Sequence, residues 1–222
     1  MNYKAIKMNE EDEVSPSAGL GFFQQASTST LTRFFLDEEI TEPSYYRNLL
    51  QVLLSANDND VVELWINTPG GDLSATEAIV SAIQNSDAQV VGLINGRAYS
   101  AGSMIALSCP HLVVLESASM MIHEASFATG GKGSDIRGYV TFSDKKLDKL
   151  IDSVYEGFLT PEELVQVKNG KELWLLPEEI EERLEKRGLY FEEKNNPLVE
   201  EVEEKEPPKP QRKRRTPVAI ED

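Results

Sequence analysis

Ser100 stands in the run Ala98-Tyr99-Ser100-Ala101-Gly102, mostly small residues that follow the apolar stretch Val90–Ile94 after Asn95-Gly96-Arg97. A serine hydroxyl is a weak nucleophile at neutral pH. It needs a base to take its proton and donors to hold the oxyanion that develops. A sharp strand-to-helix turn serves both needs, because it projects the hydroxyl and aims the first helical N–H groups at one point; the flanking residues must then be small. This run meets that requirement, with Ala98 where the usual elbow pattern has its first glycine. The same small residues also suit plain helix–strand packing, so the run alone decides nothing.

The base narrows quickly, since the chain has only two histidines. His111 follows Pro110 and reads as a solvated loop residue. His123 ends the apolar strand Met120-Met121-Ile122, and the C-terminal edge of such strands is where open α/β sheets form their crevices. Pro69-Gly70-Gly71 also follows a strand, and glycine there permits close backbone approach to a ligand. An N–H of that turn could join the Ala101 N–H in an oxyanion hole, though a plain tight turn would look the same.

The elements that must position these groups alternate along the chain. Arg33–Leu36 reads as a first strand, and Pro43 opens a helix with Tyr46, Leu49, Leu50, Leu53 and Leu54 on one face. Val61–Ile66 is a short apolar strand, followed by a turn at residues 67–72 and a helix over 73–85. Val90–Ile94 is the next strand, with a small-residue helix from about Ser100. Leu112–Leu115 and Ser119–Ile122 are two more strands, and Asp135–Phe158 is a long helix. Thr160-Pro161-Glu162-Glu163 has the capping-box pattern. Pro177 opens the last helix and Gly188 closes it. Strand–helix alternation predicts an α/β fold with a mainly parallel sheet.

The chain's 222 residues suffice for one core with tails. Residues 1–30 read as a flexible acidic segment, 31–192 as the folded domain, and 193–222 as a disordered tail with acidic, proline and basic blocks. The formal net charge of −16 argues against general nucleic-acid binding. Cys109 is the only cysteine, which excludes an intrachain disulfide and a cysteine-based metal site; no metal or cofactor is expected. The N-terminus is not a secretory signal, and no apolar run approaches the ~20 residues of a membrane helix, so a cytoplasmic protein without a membrane partner is expected.

Taken together, the segments resemble the ClpP-like serine peptidases, the proteolytic subunits of Clp protease. Ile66-Asn67-Thr68-Pro69-Gly70-Gly71 is similar to the family's "INSPGG" turn, Gly96–Gly102 to its nucleophile segment, and Met121-Ile122-His123 to its "MIH". Gly131–Ile136 resembles the glycine-rich strand that leads into the handle helix, and Trp174–Ile180 with Arg187-Gly188-Leu189 resembles "FLTAEEA…YGL". The resemblance implies the ClpP/crotonase-like superhelix of strand–helix units with a protruding handle helix. It implies Ser100 as nucleophile, His123 as general base, and the Gly71 and Ala101 N–H groups as the oxyanion hole. Gly70, Leu73 and Gly131 would flank a bound polypeptide held as an added strand.

The family's third triad position, usually Asp, falls on Glu172 in Lys171-Glu172-Leu173-Trp174. Glutamate is one methylene longer, so either the backbone is set back or another carboxylate, Asp152, serves. Ala101 replaces the usual Met and keeps the N–H. The family forms stacked homo-oligomeric rings and docks an ATPase unfoldase through N-terminal loops. The acidic N-terminus here is unlike that loop, which leaves an unfoldase partner open. Divergent proteins of this kind occur in tailed phages, which would put the chain in a bacterial host cytoplasm. The sequence therefore leaves two readings: an active serine endopeptidase, or a catalytically inactive assembly or scaffold subunit of the same fold.

Overall fold

The computed structural model describes residues 28–126 and 128–195; nearly all of the acidic N-terminal segment, and the tail from 196 onward, lie outside the described residues. The element order is β1 (Leu31–Leu36), a 3-10 turn (Pro43–Tyr46), α1 (Arg47–Ser55), β2 (Val61–Thr68), α2 (Leu73–Gln84), β3 (Gln89–Tyr99) and α3 (Ala101–Ser108). It continues with β4 (His111–Val114), β5 (Ser119–Ile122), α4 (Gly133–Tyr155), α5 (Pro161–Lys168), β6 (Leu173–Leu175) and α6 (Pro177–Asn195). The expected α/β fold is present, with one sheet ordered β1-β2-β3-β5-β6 and β4 also paired to β3.

Five strands run parallel, and β6 adds an antiparallel edge on β5. β2 alternates half-buried and buried positions along its whole length, the period-2 pattern of a sheet with one packed face. Val62, Leu64, Ile66, Val90, Ile94, Met120 and Ile122 point into the core, all at 1% exposure or less. Each such side chain contributes about 1.5–3 kcal/mol by burial. The opposite face carries Phe35, Trp65, Leu93 and Val113 in one row across four strands, and Phe35 and Val113 are 62% and 41% exposed.

α3 lies against the packed face with Ala101 to Leu107 all buried. Cys109 caps it, buried, with its thiol 3.4 Å from the Ile105 carbonyl. α4 buries only Leu147, Ile151, Val154 and Tyr155, all in its C-terminal half. Its N-terminal half buries no residue. Among the described residues no helix is long and apolar enough to cross a membrane.

Several elements differ from the sequence reading. β3 runs on past Ile94 to Tyr99, because Arg97, Ala98 and Tyr99 change partner and pair with β5. The register slips between Ile66 and Thr68, where the Asn67 side chain accepts the Arg97 N–H at 3.0 Å. α6 does not stop at Gly188. It continues to Asn195, held by Tyr190 and Lys194 on the Glu156 carboxylate at 2.8 and 2.6 Å and by Arg187 over the Phe191 ring. Those contacts outweigh the ~1 kcal/mol that a mid-helix glycine costs. Finally, the glycine-rich strand expected near Gly131 does not form in this chain. Residues 128–132 are irregular and α4 starts at Gly133; a glycine-rich stretch has little strand propensity without a partner strand.

Candidate active site

Ser100 sits at the joint between β3 and α3 with φ 53° and ψ −117°. Among the described residues it is the one non-glycine at positive φ, a conformation that costs about 1–3 kcal/mol and persists only where its surroundings over-determine it. They do so here. The Ser100 N–H donates to the Met121 carbonyl at 2.8 Å, and its carbonyl accepts the N–H groups of Ser103 and Met104 at 2.9 and 3.3 Å. The Ser103 hydroxyl adds a bond to the same carbonyl at 2.7 Å.

The pairing of Tyr99 with Met121 brings the end of β5 beside this elbow. His123, the residue after β5, places Nε2 2.8 Å from Ser100 Oγ. For the hydroxyl to donate, Nε2 must be the unprotonated nitrogen, with the ring proton on Nδ1. Ser100 and His123, 23 residues apart in the chain, are thus side by side. His111 is exposed at the start of β4.

The Pro69-Gly70-Gly71 turn packs directly on the elbow. At Gly70, φ is 98°, and an added Cβ would lie 2.8 Å from Ser100 Cβ and 3.1 Å from the Ala101 nitrogen. At Gly71 an added Cβ would collide with the Ile40 carbonyl. Ile40 clamps the turn through its N–H to the Gly70 carbonyl at 2.7 Å and its carbonyl to the Asp72 N–H at 2.6 Å. Ile40 thus bonds the residues on either side of Gly71, so the Gly71 N–H is not taken up by Ile40. Ala101 is the first residue of α3, and its N–H has no partner within the helix. Beneath, buried Thr68 donates to the Glu38 carbonyl at 2.6 Å and accepts the Gly70 N–H at 3.1 Å. Asp72 caps α2 by accepting the Ala75 N–H at 2.7 Å.

A cavity of about 430 Å³ opens beside Ser100 and His123, bounded by Gly71, Leu73, Met104 and the α4 residues Phe142 and Leu147. The α4 wall is tied down by Lys146, which reaches Glu77 of α2 at 2.6 Å. Leu73 lines this cavity. Gly131 does not; open space surrounds it. The α4 residues carry no motif that would have announced them.

Glu172 is the residue before β6 and His123 the residue after β5. The last pair of that antiparallel ladder is Ile122 with Leu173, so the two lie just beyond its end. Its carboxylate nevertheless accepts the Trp174 indole N–H at 3.2 Å, and among the described residues the side-chain hydrogen bond of His123 goes to Ser100. Trp174 is itself set edge-on to Tyr99 at 5.2 Å between ring centres. Asp152 is paired with Lys168 at 2.6 Å. It lines a separate groove of about 720 Å³ that shares no residue with the Ser100 cavity, so it is not the alternative third member.

The family model described as Clp protease matches residues 25–183. The chain belongs to this family. The match covers the PGG turn, the elbow, His123 and Glu172, and ends inside α6. Among curated Clp protease relatives, the chain is 32% identical over 127 residues to the ATP-dependent Clp protease proteolytic subunit 1 of Streptomyces coelicolor, covering 55% of this chain and 58% of that one. It is 23% identical over 177 residues to the proteolytic subunit 3 of Rhizobium etli, covering 78% and 91%. It is 39% identical over 83 residues to the proteolytic subunit of Streptococcus pyogenes, covering 36% and 42%. The chain thus spans only about half the length of the first relatives it matches: 58% of the Streptomyces coelicolor subunit and 48% of the proteolytic subunit 3 of Streptomyces avermitilis. Within the Clp protease family this is a divergent member.

Proposed function

We propose that the chain is a serine endopeptidase that cleaves polypeptides by a Ser-His-acid mechanism within a ring-shaped homo-oligomer. The observation that carries this reading is the 2.8 Å contact between Ser100 Oγ and His123 Nε2 on a strained elbow packed against the Gly70-Gly71 turn. Ser100 Oγ attacks the peptide carbonyl carbon as its proton passes to His123 Nε2. The carbonyl oxygen becomes an oxyanion held by the Gly71 and Ala101 N–H groups. The imidazolium then gives its proton to the leaving amine, the C–N bond breaks, and an acyl-serine remains. Water repeats the relay: His123 takes its proton, hydroxide adds to the acyl carbon, and Ser100 leaves with the proton returned. Glu172, turned from Trp174 onto His123 Nδ1, holds the ring and stabilises its charged form. The row Phe35-Trp65-Leu93-Val113 supports assembly, since an exposed apolar surface of that kind marks an interaction face.

A fluorophosphonate probe on the assembled protein, followed by mass spectrometry, tests the reading. Modification at Ser100, and none in Ser100→Ala, is expected; an unmodified Ser100 in folded, assembled protein sinks it. The Glu172–Trp174 bond favours a second reading, an inactive assembly subunit. That reading expects Ser100→Ala to retain biological function in a complementation assay.

A further inference from the structure

Ser103 and Tyr155 lie 52 residues apart, one on α3 and one at the end of α4, and both are completely buried. The Ser103 hydroxyl has one hydrogen, and it goes to the Ser100 carbonyl at 2.7 Å. The 2.7 Å contact between Ser103 Oγ and the Tyr155 hydroxyl therefore has the phenol as donor. The result is a directed chain: Tyr155 O–H to Ser103 Oγ, Ser103 O–H to the Ser100 carbonyl. Burial pushes the Tyr155 phenol well above its ordinary range, so it remains a donor. Tyr155 is anchored in turn. Arg187 of α6 donates to the Val154 carbonyl at 3.0 Å and to the Leu107 carbonyl of α3 at 2.9 Å.

The far end of this chain matters because the Ser100 carbonyl and the Ala101 N–H are the two ends of one planar peptide unit. A donor that fixes the carbonyl also fixes the direction of that N–H. A hydrogen bond to the carbonyl further polarises the unit and strengthens the N–H as a donor.

We propose that Ser103 and Tyr155 are positioning residues that lock the Ser100–Ala101 peptide and thereby aim the Ala101 N–H at the oxyanion. The proposal rests on the peptidase reading above. An oxyanion donor acts on the transition state and not on the bound substrate, so its misalignment lowers kcat and leaves KM in place.

The test measures kcat and KM on a fluorogenic peptide, the affinity of a peptide boronate that forms a tetrahedral serine adduct, and thermal stability, for Tyr155→Phe, Ser103→Ala and the double variant, all as assembled protein. Each single variant is expected to lose about threefold to tenfold in kcat, the range one hydrogen bond supplies, with boronate affinity falling in parallel and KM unchanged. Because the two groups act in series, the double variant falls no further than Ser103→Ala. A stability loss with kcat and boronate affinity untouched overturns the proposal, and so does a double variant whose losses multiply. If the wild-type chain neither turns over peptide nor takes the fluorophosphonate, the peptidase reading has failed. The positioning claim is then decided by a crystal structure of Ser103→Ala: a rotated Ser100–Ala101 peptide supports it, and an unmoved one overturns it.

Discussion

Glu172 is the residue on which the proposed triad turns. It lies just beyond the Ile122–Leu173 pair that ends the β5–β6 ladder, as His123 does, yet gives its carboxylate to Trp174. One hydrogen bond to an indole is a modest tie, about 1.5–3 kcal/mol at most for a charged acceptor, and a bound peptide that fixes His123 can overcome it. Glu172→Gln is accordingly expected to lower kcat by about 10²- to 10⁴-fold, as loss of the ring-orienting carboxylate does in other triads. Steady-state hydrolysis of a fluorogenic peptide, with labelling at Ser100 as the control for an intact elbow, checks this. Unchanged kcat would remove Glu172 from the triad. At this scale the sequence was informative where function sits in short, ordered segments. Ser100, His123 and the glycine turn each lie in a run whose residue types match one chemical need. Ser103 and Tyr155 were not legible, because a serine in a small-residue helix and a tyrosine at a helix end become partners only when α3 and α4 pack. Gly131 misled for the opposite reason: a glycine-rich run suggested a strand, and a strand requires a partner that one chain does not supply.

At the scale of elements, the strongest local signals were read correctly. Thr160 and Glu163 form the capping box foreseen at α5, with bonds of 3.2 and 3.0 Å. The end of α6 was misread, since the aromatic and ionic contacts beyond Gly188 are tertiary and leave no local trace. The short antiparallel β6 was missed because three residues carry too little periodicity. The α5 cap has a second partner: Arg183 of α6 donates to both Glu163 carboxylate oxygens at 2.8 and 2.7 Å. The Arg183 hydrogen bonds, together with the Thr160 N–H, hold this carboxyl down at about 2 against an ordinary 4.5. The unfolded chain therefore binds more protons than the folded one between those values, and stability rises with pH across that window. The contribution is full above pH 4.5 and is lost as pH falls through about 2. Urea unfolding at a series of acid pH values is expected to show this slope in the wild type and a flatter one in Glu163→Gln. At neutral pH that variant is destabilised by about 2 kcal/mol through loss of the charge-assisted pair.

For the whole molecule, the sheet's uncovered face predicts that stability and assembly are linked. Phe35 and Trp65 pack with their rings tilted, 5.9 Å between centres, on that face, and a second copy of this chain is the occupant that a ring requires. Trp65→Glu is expected to shift the protein to smaller species in sedimentation velocity while its far-ultraviolet circular dichroism is kept. An unchanged sedimentation profile would place the contact elsewhere. The single cysteine has a use of a different kind. Cys109 is buried at the end of α3, and burial pushes its thiol up to about 12, so a thiol reagent cannot modify it until that helix opens. The chain thus carries its own clock. The rate at which a thiol reagent modifies Cys109 reports how often the far end of α3 opens.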